Sequence, residues 1–266
     1  MKRVLGIDVG GSGVKGAIVN VQTGHLLSER YRVKTPRPAT PRALAAAIAR
    51  IAAHFHWKGR IGVGMPGPLK DGKLMLARNL DRSWSGIRAH VIYSETAGLP
   101  VRVINDADAA GLAEMKFGAG RKKRGTVVLI TLGTGIGSAV FVDGRLLPNT
   151  ELGQVELKGE RAEERAAARV RKEQNLTWEK YTKRLQEYFD IVQMLLWPDL
   201  IIVGGGVSRK AKKFIPKLKL RASVVPAQMK NEAGIVGAAL YAATPHRQPP
   251  HEYQRSVTVR RTKISE

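Results

Sequence analysis

The pattern that most restricts how this chain can fold is a strand, a glycine-rich turn and a second strand, written twice. The first copy runs from Val4-Leu5 through Gly6-Ile7-Asp8-Val9-Gly10-Gly11-Ser12-Gly13-Val14-Lys15-Gly16 into Ala17-Ile18-Val19. The second runs from Val127–Ile130 through Thr131-Leu132-Gly133-Thr134-Gly135-Ile136-Gly137 into Ala139–Val142. Short apolar runs on both sides of glycines read as antiparallel strands joined by a tight turn. Glycine has no Cβ, so the backbone N–H groups of such turns can close on an anion. Two of them suggest a grip on a phosphate chain from both sides.

The intervening sequence predicts two similar lobes with a cleft between them. Residues 2–9, 14–20 and 25–33 read as a three-stranded meander, with Thr23-Gly24 as a turn. Pro41-Arg42 opens a helix through Ala43–Phe55, with Leu44, Ile48, Ile51 and Phe55 at helical spacing. A buried strand follows at 60–64, a turn-rich stretch at 69–100 with a hairpin at Asp71-Gly72, and another strand at 101–104. A helix at 107–117 ends in Gly118-Ala119-Gly120, and the second glycine hairpin spans 126–147. Residues 162–196 read as two helices split near 175–177, residues 199–203 as a strand, and residues 231–243 as a small-residue helix. The division expected is one lobe of 1–104 completed by 231–243, a second of 105–230, and a basic, disordered tail at 245–266 with an edge strand at 256–259.

Composition narrows the chemistry. The 266 residues contain no cysteine, which excludes disulfides, thiolate zinc sites and a cysteine nucleophile and fits a cytoplasmic setting. No apolar run reaches the ~18 residues of a membrane span. Lys plus Arg is 45 against 22 Asp plus Glu, leaving a net charge of +23 that attracts polyanions. That charge is clustered at Arg121–Arg124 and from Arg209 to Arg221, a run that includes Lys210, Lys212 and Lys213 and no acid. The second run follows Gly204-Gly205-Gly206, a further candidate phosphate turn. The six histidines show no ligand spacing.

Three constellations carry candidate chemistry, each with a plain structural alternative. Asp8 ends the first strand and could hold Mg2+ while Gly10, Gly11 and Ser12 meet phosphate oxygens and Lys15 adds charge. Equally, it is an ordinary hairpin with Lys15 in solvent. Asn105-Asp106 stands where a strand gives way to a helix, which suits an N-cap and also suits a general base beside an orienting amide. Asn149–Glu156 combines an amide with Glu151 and Glu156, groups suited to vicinal hydroxyls or to capping a helix. Asn79 and Trp84 could add an amide and a stacking face.

Taken together, Gly6–Gly16, Asn105–Ala110, Leu132–Gly153, Gly204–Ser208 and Asn231–Ala239 resemble the sugar kinases of the ROK (repressor, ORF, kinase) family. Within it, Gly133–Ala139, Pro148–Gly153 and Asn231–Ala239 are most similar to the polyphosphate-using glucokinases. The resemblance implies an α/β, two-lobed actin-like ATPase fold and a homodimer. It implies transfer of the terminal phosphoryl of inorganic polyphosphate, with ATP as a second donor, to the 6-hydroxyl of glucose. An ATP-dependent hexokinase or mannokinase, or a sugar-responsive binding protein with weakened catalysis, is the alternative.

By the same resemblance Asp106 is the base, and Gly67, Asn79, Asn105, Glu151, Gln154 and Glu156 lie at the sugar. Asp8, Gly10, Gly11, Ser12, Lys15, Thr131, Gly133, Thr134, Gly135, Gly205 and Gly206 surround the phosphates, with Asp8 towards Mg2+. Lys210, Lys212 and Lys213 would form a track for a long donor. Gln154 stands where the family has His; it can donate and accept a hydrogen bond but carries no charge. Sequence-specific nucleic-acid binding is not expected, because the first glycine motif begins at residue 6 and leaves no room ahead of it for a helix-turn-helix.

Overall fold

A computed structural model of the chain describes residues 2–75 and 80–244. The tail expected at 245–266 lies outside the described residues, as does Asn79.

The first half builds a five-stranded sheet. Strands β1 (Arg3–Val9), β2 (Val14–Asn20) and β3 (Tyr31–Val33) form the antiparallel meander, followed by helix α1 (Pro41–His54) and strand β4 (Ile61–Met65). A small hairpin, β5 (Leu69–Lys70) with β6 (Lys73–Leu74), precedes α2 (Ala89–Ala97) and β7 (Val101–Asn105). The order across the sheet is β3-β2-β1-β4-β7, with β4 and β7 parallel to β1. The third strand is shorter than the sequence suggests. Ile18 N donates to the Ser28 hydroxyl at 3.0 Å, and this side-chain bond interrupts the backbone ladder ahead of Tyr31. Helix α2, unforeseen within 69–100, buries Ala89 and Tyr93 and stops at Gly98 in the left-handed conformation.

After α3 (Asp106–Phe117), the second half repeats the plan. Strands β8 (Thr126–Leu132), β9 (Ile136–Val142) and β10 (Arg145–Leu147) form a meander. A hairpin of β11 (Glu156–Leu157) and β12 (Glu160–Arg161) leads to helices α4 (Ala162–Ala166), α5 (Ala168–Glu173) and α6 (Trp178–Leu196). The break is therefore double, because Ala167 is extended as well as Thr177. Strands β13 (Leu200–Gly204) and β14 (Ser223–Pro226) complete a sheet of order β10-β9-β8-β13-β14. Both sheets thus have three meander strands with two parallel strands added beside the first. Between β13 and β14 the basic run forms 3-10 turns at Gly206–Lys213 and Ile215–Lys217.

Strand alternation determines the layers. In β1, Leu5, Ile7 and Val9 pack with Leu44, Ile48 and Ile51 of α1, whereas Val4 packs with helix α7 (Ala233–Ala243). In β8, Val128, Ile130 and Leu132 join Tyr181, Leu185 and Phe189 of α6, whereas Val127 and Leu129 face Leu112 and Met115 of α3. Helices α3 and α7 pack on each other between the two sheets. Their contact is close. A Cβ at Gly237 would lie 1.6 Å from Ala109 O, and one at Gly62 would lie 1.9 Å from Ala238 O. The small-residue composition of α7 is what permits this approach. Glu114 of α3, fully buried, accepts from the backbone N–H of Ala119, Gln228 and Met229 and fastens the chain ahead of α7.

Candidate active site

Each glycine turn closes on itself, Gly10 N donating to Gly13 O at 3.2 Å and Gly133 N to Gly135 O at 3.0 Å. The fold brings both turns to one cleft of about 500 Å3, lined by Gly10 and Gly11 on one side and by Thr131, Gly133, Thr134, Gly135 and Gly205 on the other. Gly67, Asn105, Asp106, Glu151 and Gln154 line the same cleft. Residues more than 100 positions apart therefore share one solvent-filled space.

Asp106 opens α3 at the end of β7, and its carboxylate accepts from Ala107 N at 2.8 Å. Burial, then the neighbouring Asp8, and further the carboxylates of Glu151 and Asp108, raise its pKa to about 7. Asp8 is likewise pushed above the ordinary carboxylate range by burial, with Lys15 opposing the shift from the adjacent strand. A Cβ at Gly234, at the start of α7, would lie 3.0 Å from Asp8 Oδ1, so the end of β1 and the beginning of α7 enclose this carboxylate.

Asn105 serves the scaffold. Its Oδ1 accepts from Ala107 N at 2.8 Å and Asp108 N at 3.0 Å, and its Nδ2 donates to Gly67 O at 3.1 Å. It caps α3 and also holds the 66–68 loop against the cleft. Asp108 is buried; its Oδ2 accepts from Asn149 N at 2.9 Å, and burial raises its pKa to about 6. Asn149 in turn clasps the 69 position from both sides, accepting from Leu69 N at 2.8 Å and donating to Leu69 O at 2.9 Å.

Gln154 Nε2 donates to Glu163 Oε1 at 3.1 Å, and both side chains line the cleft. Among the described residues, Gln154 Oε1 is buried without a hydrogen-bond partner. Glu163, on α4, is a cleft residue that the sequence reading passed over in favour of Glu156. Glu156 is exposed, pairs with Arg161 in the β11–β12 hairpin, and is not among the residues lining the cleft. Trp84 is fully buried, its Nε1 donating to Ala39 O at 2.8 Å, so it is a core residue and not a stacking face. Ser12 is exposed at the tip of the first turn, and Lys15 faces Asp8; neither is among the lining residues. Gly206 begins the 3-10 turn that carries Lys210, Lys212 and Lys213, all exposed and outside the cleft lining. Residues of the 121–124 turn line a separate cavity of about 700 Å3 that shares no residue with the cleft.

Duplicated sheets, a central cleft and paired glycine turns define the α/β, two-lobed actin-like ATPase fold, and structures of ROK sugar kinases share it. One is the glucokinase of Streptomyces griseus solved with glucose and AMPPNP, which superposes with a TM-score of 0.76 at 24% identity, over 90% of this chain and 99% of that one. The family model for ROK proteins matches residues 4–160, and the chain belongs to the ROK family. It is 50% identical over 236 residues to the polyphosphate glucokinase of Mycobacterium tuberculosis, covering 88% of this chain and 89% of the relative. The inorganic polyphosphate/ATP-glucomannokinase of Arthrobacter sp. strain KM superposes with a TM-score of 0.89 at 47% identity, over 92% of this chain and all of that one.

Proposed function

We propose that this protein is a polyphosphate-dependent glucokinase, moving the terminal phosphoryl group of inorganic polyphosphate to the 6-hydroxyl of glucose. ATP serves as a second donor. The observation that carries the reading is the meeting of both glycine turns and a carboxylate of pKa about 7 in a single cleft. Phosphoryl transfer needs positioning and charge neutralisation more than covalent chemistry. A base poised near neutrality can accept the hydroxyl proton as the oxygen attacks.

Asp106 takes the proton of the acceptor hydroxyl. Asn105 fixes the start of α3 and thereby the direction of that carboxylate. Glu151, Glu163 and Gln154 receive the sugar hydroxyls, Gln154 through the acceptor oxygen that Glu163 leaves unengaged. The turns at Gly10–Gly11 and Gly133–Gly135 hold donor phosphates, with Gly205 behind them. Ser12, Lys15 and Gly206, outside the cleft lining, border the donor in this reading. Two desolvated carboxylates, of which Asp8 raises the cost of ionising Asp106, suit a divalent cation, and Mg2+ typically uses one or two carboxylates together with substrate phosphates. Asp8 would hold the Mg2+, which when bound would neutralise charge on the donor phosphates. Residues 1–104 with 231–243 form one lobe and residues 105–230 the other, supported by the packing of α7 on β1 and β4. A homodimer and a cytoplasmic location belong to the same reading; among the described residues no helix is long and apolar enough to cross a membrane.

The test is glucose 6-phosphate formation by the purified protein with long-chain polyphosphate and, separately, with ATP. Product from polyphosphate is expected. Failure with both donors overturns the assignment.

A further inference from the structure

The cleft lining contains three acids, Asp106, Glu151 and Glu163, and a single cation among its described residues, Arg37. Arg37 is exposed, and no hydrogen bond or ion pair engages its side chain among the described residues. Its position is fixed from behind. Thr35, two residues earlier and buried, donates its hydroxyl to Gly10 O at 2.6 Å, which fastens the 35–38 turn to the first glycine turn. Arg32 approaches the same turn and donates to Ser12 O at 2.5 Å. Lys34 is exposed between them, and no acidic residue occurs in the sequence between Glu29 and Asp71. The first glycine turn is thus bordered on one side by cations only.

A sugar has no charge for Arg37 to meet, and the acids with Gln154 lie among residues of the other half of the chain. A polyphosphate carries a negative charge on every phosphate beyond the one being transferred, whereas ATP has only two such phosphates before its nucleoside. From this we infer that Arg37 binds the donor chain beyond the three phosphates that ATP also offers. It selects polyphosphate over ATP, with Arg32 and Lys34 continuing the path along β3. The inference rests on the proposed polyphosphate reading and names the residue that carries its donor preference.

The experiment compares wild type, R37A, R37K and the triple variant K210A/K212A/K213A with long-chain polyphosphate, tripolyphosphate and ATP, recording KM for each donor and for glucose. Among the described residues nothing bonds the exposed Arg37 side chain, so its replacement leaves the fold intact. In R37A the KM for long-chain polyphosphate is expected to rise about 10-fold, as for loss of a charge-assisted phosphate contact. The KM values for ATP and glucose should stay within about 2-fold, with R37K recovering part of the loss. An equal rise for ATP, no change, or a larger loss in K210A/K212A/K213A than in R37A overturns the inference while leaving the enzyme assignment standing. A wild-type protein inactive with polyphosphate but active with ATP overturns the polyphosphate reading itself.

Discussion

For the pair Asn105-Asp106 the sequence presents helix capping and general-base chemistry as alternatives. Asn105 performs the capping, so the Asp106 carboxylate remains directed at the cleft with only its own following N–H engaged. D106N should lower kcat by about 10^3-fold, within the range of general-base contributions, while glucose still binds in an equilibrium titration. Wild-type kcat/KM should rise with pH through about 7 as the base ionises. Stability should run the other way. Because the folded protein binds this proton more tightly than the unfolded chain, stability is full below the ordinary value of 3.8 and declines as pH rises towards about 7. D106N should therefore melt above wild type at alkaline pH, with the difference closing in acid, as calorimetry across pH would record. Q154A should raise the KM for glucose about 10-fold while leaving the KM for polyphosphate unchanged, since it removes a buried acceptor on the sugar side only. That Asp106, Asn105 and the cleft-lining glycines share one cleft was legible because each stands at a strand end marked by its own turn chemistry. Glu163 was not, because it lies in an acidic helical stretch where nothing in the residue pattern separates one glutamate from the next. Glu156 was chosen by proximity to Glu151, and two-residue alternation in β11 turns it to solvent.

At the scale of elements, the duplicated meander could be read directly, since apolar runs and glycine turns punctuate every strand. What escaped the reading is Ser28, whose side chain replaces a backbone partner and cuts β3 short, and α2, which has only two well-buried positions before Gly98 ends it. Helix α7 was visible as a small-residue segment, but the reason for its composition lies in contacts with residues far away in sequence. Substituting G237A forces a methyl group into Ala109 O, and α3 and α7 must part to admit it. The expected cost is about 1–3 kcal/mol in chemical denaturation, as for other overpacked cores. Because α3 carries Asp106, the same variant should lose activity beyond its loss of folded population.

Viewed as one body, the protein is a strong polycation whose charge is not confined to the cleft. A net charge of +23 should bind DNA of any sequence at low ionic strength. That binding should weaken by about 10^3-fold or more between about 50 and 200 mM salt, with no preference among sequences in a competition assay. A sequence preference that survives high salt would overturn this charge-only account. The small clasp between Asn149 and Leu69 reaches further than its two bonds suggest. It ties the loop after β10 to the strand that follows Pro66–Pro68, and the same Asn149 is anchored to α3 through Asp108. A swing of the two sheets would have to either keep that clasp or break it. With the clasp kept, the span beside it would move least and the far rim most, which is the play that threading a long polymer would require.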